Sequence, residues 1–339
     1  MAPVRIDNIV FELTQACNQC CRFCYNYWRD GHSPLPAPDP SRARKTLRKL
    51  LSQAAVGTIS FSGGEPLLLR NVHDLVLSAR FRGTRVNILT NGTLLTPDAL
   101  ENFLHLGVGA IQIPVLSYRP EVHEHLTGLK DSWQKAVDAL SRVVERLPSG
   151  AFAVLVFSKV NAPDIPGTLQ LLYDKGVRNV MVNRFNIGGM GLQHTQELVM
   201  DAATLKKGFA DVEAFAATHP AMRFVSGVCT PLCLVDTGAY PHVKFTACST
   251  DFSRRPVTVN YLGDVRFCNH SPYVLGNIYR KSIGDILTDP ANVARYSVLP
   301  EPCQACSLLK RCGGGCRAAS EQVYGRFDAM DPVLGLATE

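Results

Sequence analysis

The chain has 339 residues, of which 46% are hydrophobic and 19% charged, with a formal net charge of +6. That balance suits an ordinary globular protein with a sizeable core and excludes a disordered or fibrous one. The basic residues are scattered, and the one short run, SRARKTLRK at 41–49, reads as a solvated helix face, so no nucleic-acid partner is expected.

No stretch is apolar for long enough to span a bilayer, and no basic start followed by an apolar core opens the sequence. A cytoplasmic location without membrane contact is therefore expected. Twelve cysteines in such a chain argue for metal or redox chemistry rather than disulfides. Four of them fall at 17–24 and the other eight between Cys229 and Cys316. Two separate metal regions are implied.

The predicted strands lie near 6–13, 58–62, 85–90, 109–115, 151–157 and 179–184. Between them come segments with apolar residues three to four apart, among them PSRARKTLRKLLSQA, VHDLVLSARF, TPDALENFLHLG, SWQKAVDALSRVVERL and IPGTLQLLYDKG. Thr96-Pro97 marks a helix start and Gly176 a helix stop. Repeated strand–helix alternation predicts a parallel sheet with helices outside it, an α/β fold. In parallel α/β barrels the site lies at the C-terminal ends of the strands. The unusual stretches are there: CNQCCRFC (17–24) after the first strand, SGGEP (62–66) after the second and TNG (90–92) after the third.

CNQCCRFC can be read in two registers. Cys17-x2-Cys20 followed by Cys21-x2-Cys24 would be two abutting zinc-type pairs, with almost no chain to wrap an ion. Cys17-x3-Cys21-x2-Cys24 would hold three irons of a [4Fe–4S] cluster and leave the fourth iron open. A reactive free thiol pair is a third reading of the same spacing.

Beyond about residue 215 the pattern changes. The segment from 230 to 256 is rich in turn formers and cysteine, PVTVNYL and DVRFC bracket a Gly263-Asp264 turn as a hairpin, and a helix-like piece at 281–296 leads into the cysteines of 303–316. The expected organisation is a barrel-type domain over 1–215 and a small, metal-held domain over 216–339.

Together, CxxxCxxC, GGEP and TNG on three successive strands closely resemble the radical S-adenosylmethionine (radical SAM) enzymes, over roughly residues 4–190. The resemblance implies a partial (β/α)6 TIM-like barrel. It also implies a [4Fe–4S] cluster on Cys17, Cys21 and Cys24, with S-adenosylmethionine chelated at the open iron and Cys20 a bystander. Phe23 would pack near the adenine, and Gly63 and Gly64 would let backbone approach the ligand. Glu65 or neighbouring carbonyls would accept from the cofactor's amine, and Asn91 would line the same pocket. The sequence departs from the family at the fourth strand, where Pro114-Val115-Leu116-Ser117 replaces a Ser-Leu-Asp-Gly type stretch. Arg184, at the end of the sixth strand, is a candidate partner for the cofactor's carboxylate.

The C-terminal spacing, Cys248-x14-Gly263-x4-Cys268 and then Cys303-x2-Cys306-x5-Cys312-x3-Cys316, resembles the SPASM extension. That resemblance implies two auxiliary [4Fe–4S] clusters. Cys248, Cys268 and Cys316, with Cys229 or Cys233, would hold the first; Cys303, Cys306 and Cys312 would hold the second. Relatives complete the second cluster with a later cysteine, but none follows Cys316 here. The leftover upstream cysteine, or an oxygen of Asp328 or Asp331, is left to do so. A structural zinc ribbon is the plainer alternative.

The expected function is a radical SAM oxidoreductase that matures a ribosomally made peptide. Its partners would be the peptide, a flavodoxin- or ferredoxin-like electron donor and a separate peptide-recognition protein. Oxidation of a small molecule such as a haem precursor or a sugar is the alternative, and a non-catalytic iron–sulfur or zinc scaffold is the reading from another class. Asn269 after Cys268 lacks the carboxylate base expected of sulfatase-maturing relatives. His123, His125, Tyr118 and His270 are acid–base candidates, of which His270, two residues past Cys268, is the one to test.

Overall fold

Strand–helix alternation dominates the structure, a computed structural model that describes residues 4–29, 36–249, 251–252 and 255–336. From the N-terminus come β1 (Val4–Glu12), α1 (Pro40–Gln53), β2 (Ala54–Ser62), α2 (Val72–Arg80), β3 (Arg85–Leu89), α3 (Pro97–His105) and β4 (Ala110–Pro114). Next are α4 (Pro120–Thr127), α5 (Ser132–Arg146), β5 (Ala151–Phe157), α6 (Ile165–Asp174), β6 (Asn179–Arg184), α7 (Thr195–Leu198) and α8 (Ala202–Thr218). Five short strands follow: β7 (Arg223–Ser226), β8 (Val243–Phe245), β9 (Val257–Asn260), β10 (Asp264–Arg266) and β11 (Val274–Asn277). All six predicted strands are present. No helix among the described residues is long and apolar enough to cross a membrane.

The chain forms two units, each built from three stretches of sequence. The first takes Met1–Asn18, Ser33–Gln112 and Ser249–Val298; the second takes Gln19–His32, Ile113–Cys248 and Leu299–Glu339. The division drawn from the sequence at residue 215 falls inside α8, so compactness follows lines that chain order does not reveal.

In the first unit β1, β2, β3 and the start of β4 run parallel, with Ile9 opposite Ile59, Phe61 opposite Ile88 and Ile88 opposite Ile111. The helices start where the sequence signals a start. Asp39 accepts from the Arg42 N–H ahead of Pro40, and Thr96 accepts from the Ala99 N–H ahead of Pro97. Ala43, Leu47, Leu50 and Leu51 then form the buried stripe of α1. Phe11 and Phe61 are fully buried edge to face at 6.2 Å, each such burial stabilising by roughly 1.5–3 kcal/mol.

The hairpin expected in a separate C-terminal domain belongs to this unit. β9 adds in parallel to the other edge of β1, with Phe11 opposite Val259. β10 returns antiparallel through Gly263 (φ +92°), and β11 extends the arrangement. A free edge of β1 is the physical reason, since an unpaired strand edge recruits the next available strand.

Arg266, buried on β10, pairs with the buried Glu12 at the end of β1. Its Nη1 also donates to the Ser271 carbonyl at 2.7 Å, and the Ser271 N–H donates to the Cys268 carbonyl at 3.2 Å. One guanidinium thus ties the Cys268 loop to the exit of β1.

The second unit carries β5, β6, β7 and β8 in parallel order, with Leu155 opposite Val182 and Val180 opposite Phe224. β5 alternates strictly between buried and half-buried positions. Its core includes Phe157 against Phe209 at 5.4 Å, and a cluster of Leu116, Leu126, Phe185, Ile187 and Leu198.

Replacing Arg266 by Met strands the Glu12 carboxylate in the core and is expected to cost about 3–5 kcal/mol. Removing both charges together, as Glu12→Leu with Arg266→Met, should cost less than the single change. Anaerobic denaturant unfolding of the two variants checks this order.

Candidate functional site

The ends of β1, β2 and β3 are joined by hydrogen bonds inside the first unit. Leu13 N–H donates to the Ser62 carbonyl at 2.9 Å, Gly64 N–H to that of Thr14 at 2.8 Å and Glu65 N–H to that of Ala16 at 2.8 Å. A side chain at Gly63 (φ +126°) would put its Cβ 2.3 Å from the Thr14 carbonyl oxygen, and one at Gly64 would come 2.0 Å from that of Ala16. The two glycines therefore serve a close approach of β2's exit to the stem of the cysteine loop.

Glu65 is fully buried. Its Oε1 accepts from the Thr90 hydroxyl at 2.7 Å and the Leu67 N–H at 3.0 Å, and its Oε2 from the Asn91 N–H at 2.8 Å. Burial pushes its carboxyl above the usual range, while the Asn91 and Leu67 N–H groups and the Thr90 hydroxyl pull the other way. Sequence reasoning offered this carboxylate to the cofactor's amine. In the structure both oxygens are committed to the chain itself, and Glu65 acts by positioning.

What it positions is the TNG turn. Asn91 Nδ2 donates to Asn18 Oδ1 at 2.8 Å and lies 4.0 Å from Cys17 Sγ; Asn18 Nδ2 donates to the Thr93 hydroxyl at 2.8 Å. Asn18, Thr90 and Thr93 were not singled out from the sequence. Asn18 and Thr90 lie inside the cysteine and TNG motifs and Thr93 follows TNG directly, which was their only signal.

Between Asn18 and Gln19 the cysteine loop passes into the second unit. There Cys20 N–H donates to the Thr127 carbonyl and Arg22 N–H to that of Leu126, at 3.1 and 2.9 Å. Gly191 N–H donates to the Cys24 carbonyl at 3.2 Å, and Gln322 bridges the Tyr25 carbonyl and the Gly189 N–H at 2.9 and 2.8 Å. Cys20 is exposed, whereas Cys17, Cys21 and Cys24 are half-buried. Burial pushes the Cys24 thiol up, against the Asn26 N–H and Arg29. Phe23 packs against Leu116, Leu126, Phe185, Ile187 and Leu198.

Arg184, the candidate carboxylate partner, is committed elsewhere. It is buried and pairs with the buried Asp331, donates to the Cys229 carbonyl from Nη2 at 2.8 Å, and donates to the Phe185 carbonyl at 3.2 Å. Asp331 also accepts from the Cys316 N–H at 2.7 Å and the Val333 N–H at 3.1 Å. Asn186 Nδ2 lies 3.4 Å from Cys316 Sγ. At Gly313 (φ +69°) a Cβ would sit 2.5 Å from the Cys248 carbonyl oxygen. Cys229, Cys248 and Cys316 thus surround one buried ion pair, while Cys268, expected to join them, belongs to the first unit.

None of the twelve cysteines, all among the described residues, is in a disulfide. Of the acid–base candidates, His123 is buried with Nδ1 accepting from the Leu116 N–H at 3.2 Å, and His125 bonds Glu197 at 2.5 Å. Tyr118 is exposed and His270 buried.

The model of the radical SAM superfamily matches residues 11–172, and that of the SPASM iron–sulfur cluster-binding domain matches residues 248–307. The PqqA peptide cyclase of Xanthomonas campestris pv. campestris (strain 8004) is 27% identical over 337 residues, covering 96% of this chain and 86% of that protein. The enzyme of the same name from Granulibacter bethesdensis is 24% identical over 97% of this chain and 87% of its own. SuiB of Streptococcus suis bound to its precursor peptide SuiA superposes with a TM-score of 0.71 at 16% identity, over 97% of this chain and 75% of that one. Native anSMEcpe with bound AdoMet gives 0.69 at 14%, over 98% and 94%. The fold expected from the sequence, an α/β partial barrel with an auxiliary iron–sulfur domain, is thereby shared with solved structures.

Glu65→Gln turns an NH2 group either toward the Asn91 N–H or toward the Thr90 and Leu67 donors, and should cost about 1–3 kcal/mol. Its thermal unfolding, compared with that of Glu65→Asp, measures this. Burial lowers the pKa of His123 to about 4 from 6.5. The unfolded chain therefore binds the extra proton first as pH falls, and stability is lost as pH drops below about 6.5. Between about pH 7.5 and pH 5 this amounts to roughly 2 kcal/mol. In His123→Asn, unfolding across that range should lose this part of the slope.

Proposed function

We propose, on the premise that this chain belongs to the radical SAM superfamily and carries a SPASM iron–sulfur cluster-binding domain, that it matures a ribosomally made peptide by abstracting hydrogen and oxidising the resulting radical. The observation that carries this reading is the joint at Glu65, which fixes the GGEP and TNG turns around the stem of a three-cysteine loop. Likeness to PqqA peptide cyclases across nearly the whole chain supports a peptide as the substrate.

The residues present suit the group this family uses. Three half-buried thiols within eight positions match three irons of a cubane, and two glycines that tolerate no Cβ keep the neighbouring strand ends close. Cys17, Cys21 and Cys24 would hold a [4Fe–4S] cluster, which with S-adenosylmethionine would supply the electron and the 5′-deoxyadenosyl group for hydrogen abstraction.

The chain's own work is placement. Glu65 holds the Asn91 N–H and Thr90 hydroxyl, and so fixes the turn whose Asn91 amide reaches Cys17. Gly63 and Gly64 set the backbone edge along which the cofactor's amine would lie. Phe23, packed against the cluster that includes Leu116 and Phe185, fixes the segment between Cys21 and Cys24 and would close the adenine side.

Electron balance gives the auxiliary cysteines their task. Each crosslink or desaturation removes two hydrogens from the peptide: one leaves as an atom to the deoxyadenosyl carbon, the other as a proton. The remaining electron needs an acceptor, and the auxiliary cysteines would hold the clusters suited to take it. A flavodoxin- or ferredoxin-like donor would deliver the initiating electron.

Anaerobic incubation with S-adenosylmethionine, dithionite and the peptides encoded beside the gene should give 5′-deoxyadenosine and a peptide lighter by two hydrogens, read by mass spectrometry. Cys24→Ala should abolish both products. A fully reconstituted protein that forms no 5′-deoxyadenosine would return it to the class of non-catalytic metal scaffolds.

A further inference from the structure

We propose that Glu197 is a positioning residue for the three-cysteine loop, latching Arg22 onto the C-terminal end of α4 so that the segment from Cys21 to Cys24 keeps one conformation; its bearing on the cofactor rests on the radical SAM reading above.

α4 ends at Gly128 (φ +65°), whose N–H returns to the Glu124 carbonyl at 2.8 Å. The carbonyls of His125, Leu126 and Thr127 then have no partner inside the helix. The cysteine loop takes all three. Cys20 N–H donates to that of Thr127 at 3.1 Å, Arg22 N–H to that of Leu126 at 2.9 Å and Arg22 Nε to that of His125 at 3.1 Å. A Cβ on Gly128 would lie 2.8 Å from the Cys20 carbonyl oxygen, so glycine is what lets loop and helix meet this closely. A guanidinium also complements the negative end of the helix dipole.

Backbone bonds alone would leave the long Arg22 side chain free to swing away. Glu197, on α7, removes that freedom. Arg22 Nη1 donates to its Oε2 at 3.3 Å, His194 Nδ1 lies 3.2 Å from the same oxygen, and His125 Nε2 lies 2.5 Å from Oε1. One carboxylate thus joins the loop, α4 and the residue that precedes α7. Burial pushes the Glu197 carboxyl up, but the His125 bond and the charges of Arg22, His125 and His194 outweigh it and hold the group below its ordinary value. Glu197 is therefore ionised at neutral pH. His125, His194 and Glu197 are not arranged to hold a metal ion, so their work is hydrogen bonding.

The same connection grips the far end of the segment. Gly191 N–H donates to the Cys24 carbonyl at 3.2 Å, and His194 N–H to that of Gly191 at 3.3 Å. Leu198, next to Glu197, is buried in the cluster against which Phe23 packs. Half-exposed charge pairs add little stability. What this one adds is direction, applied to the residue between two cysteines.

The test uses the full-length protein reconstituted anaerobically with iron and sulfide, read by hydrogen exchange of the 20–24 amides and by 5′-deoxyadenosine formation. Glu197→Gln should speed exchange at 20–24 about fivefold and leave that of β5 unchanged. Arg22→Gln should do the same, and the double variant should exchange no faster than either, since both open one latch. Salt at about 1 M, where screening reaches about 3 Å, should speed exchange at 20–24 in the parent but not in Glu197→Gln, a response that a packing role would not give. With saturating S-adenosylmethionine, Glu197→Gln should form 5′-deoxyadenosine about fivefold more slowly and broaden the paramagnetic resonance spectrum of the reduced cluster. Unchanged exchange in Glu197→Gln, or an equal rise in β5, overturns the latch. Faster exchange with unaltered rate and spectrum overturns its bearing on the cofactor. If Glu197→Gln fails to fold, Arg22→Gln and the parent's salt response decide. A parent that forms no 5′-deoxyadenosine sinks the radical SAM reading, and exchange still decides the latch.

Discussion

A single buried carboxylate holds the reactive end of the first unit together. Glu65 reaches from the exit of β2 to the exit of β3, while its own N–H and that of Gly64 tie back to the exit of β1. A carboxylate suits this position because it only accepts, and the three groups facing it, two backbone N–H and one hydroxyl, only need to donate. Full burial makes the arrangement demanding, since the charge is tolerable only while those donors stay in place. The three motifs legible in the sequence are therefore one mechanical object, and Cys17 inherits its position from it through Asn91 and Asn18.

Two further buried carboxylates do comparable work for the auxiliary cysteines. Glu12 holds Arg266, which holds the loop after Cys268; Asp331 holds Arg184, which grips the Cys229 carbonyl, and itself takes the Cys316 N–H. Buried ion pairs contribute little net stability compared with well-packed apolar residues, so their use here is better understood as fixing the backbone beside these cysteines. A cluster needs its thiolates delivered at set separations by segments far apart in sequence. Directional charged bonds do that where packing alone would leave slack.

The local features were the legible ones. CNQCCRFC, SGGEP and TNG could be read because each is short and sits where a strand ends, and Thr96-Pro97 and Gly263 announced their helix and turn through fixed backbone preferences. What stayed hidden depended on distant partners. β7, β8 and β11 are only three or four residues long and are strands because a neighbour's edge is present. Arg184 looked available to a cofactor because nothing in its own vicinity reveals Asp331, 147 positions away. The boundary near 215 followed a change in composition, whereas the β9–β10 hairpin crosses it to join β1. Glu65 was found for the right motif, but its partners Thr90 and Asn91, 25 and 26 residues on, make it a brace.

Ligand count separates the two kinds of metal site this chain would hold. Three thiolates leave one iron of a cubane open, and an open iron can take a small molecule into its coordination sphere. Four thiolates close the cubane, and a closed cubane can exchange electrons but has no place for a substrate. Cys20 could have closed the first site by sequence proximity, but its backbone is pinned to Thr127 and its side chain is exposed. On the function proposed, the N-terminal cysteines would hold the open cluster that serves bond cleavage and the C-terminal ones the clusters that serve electron uptake.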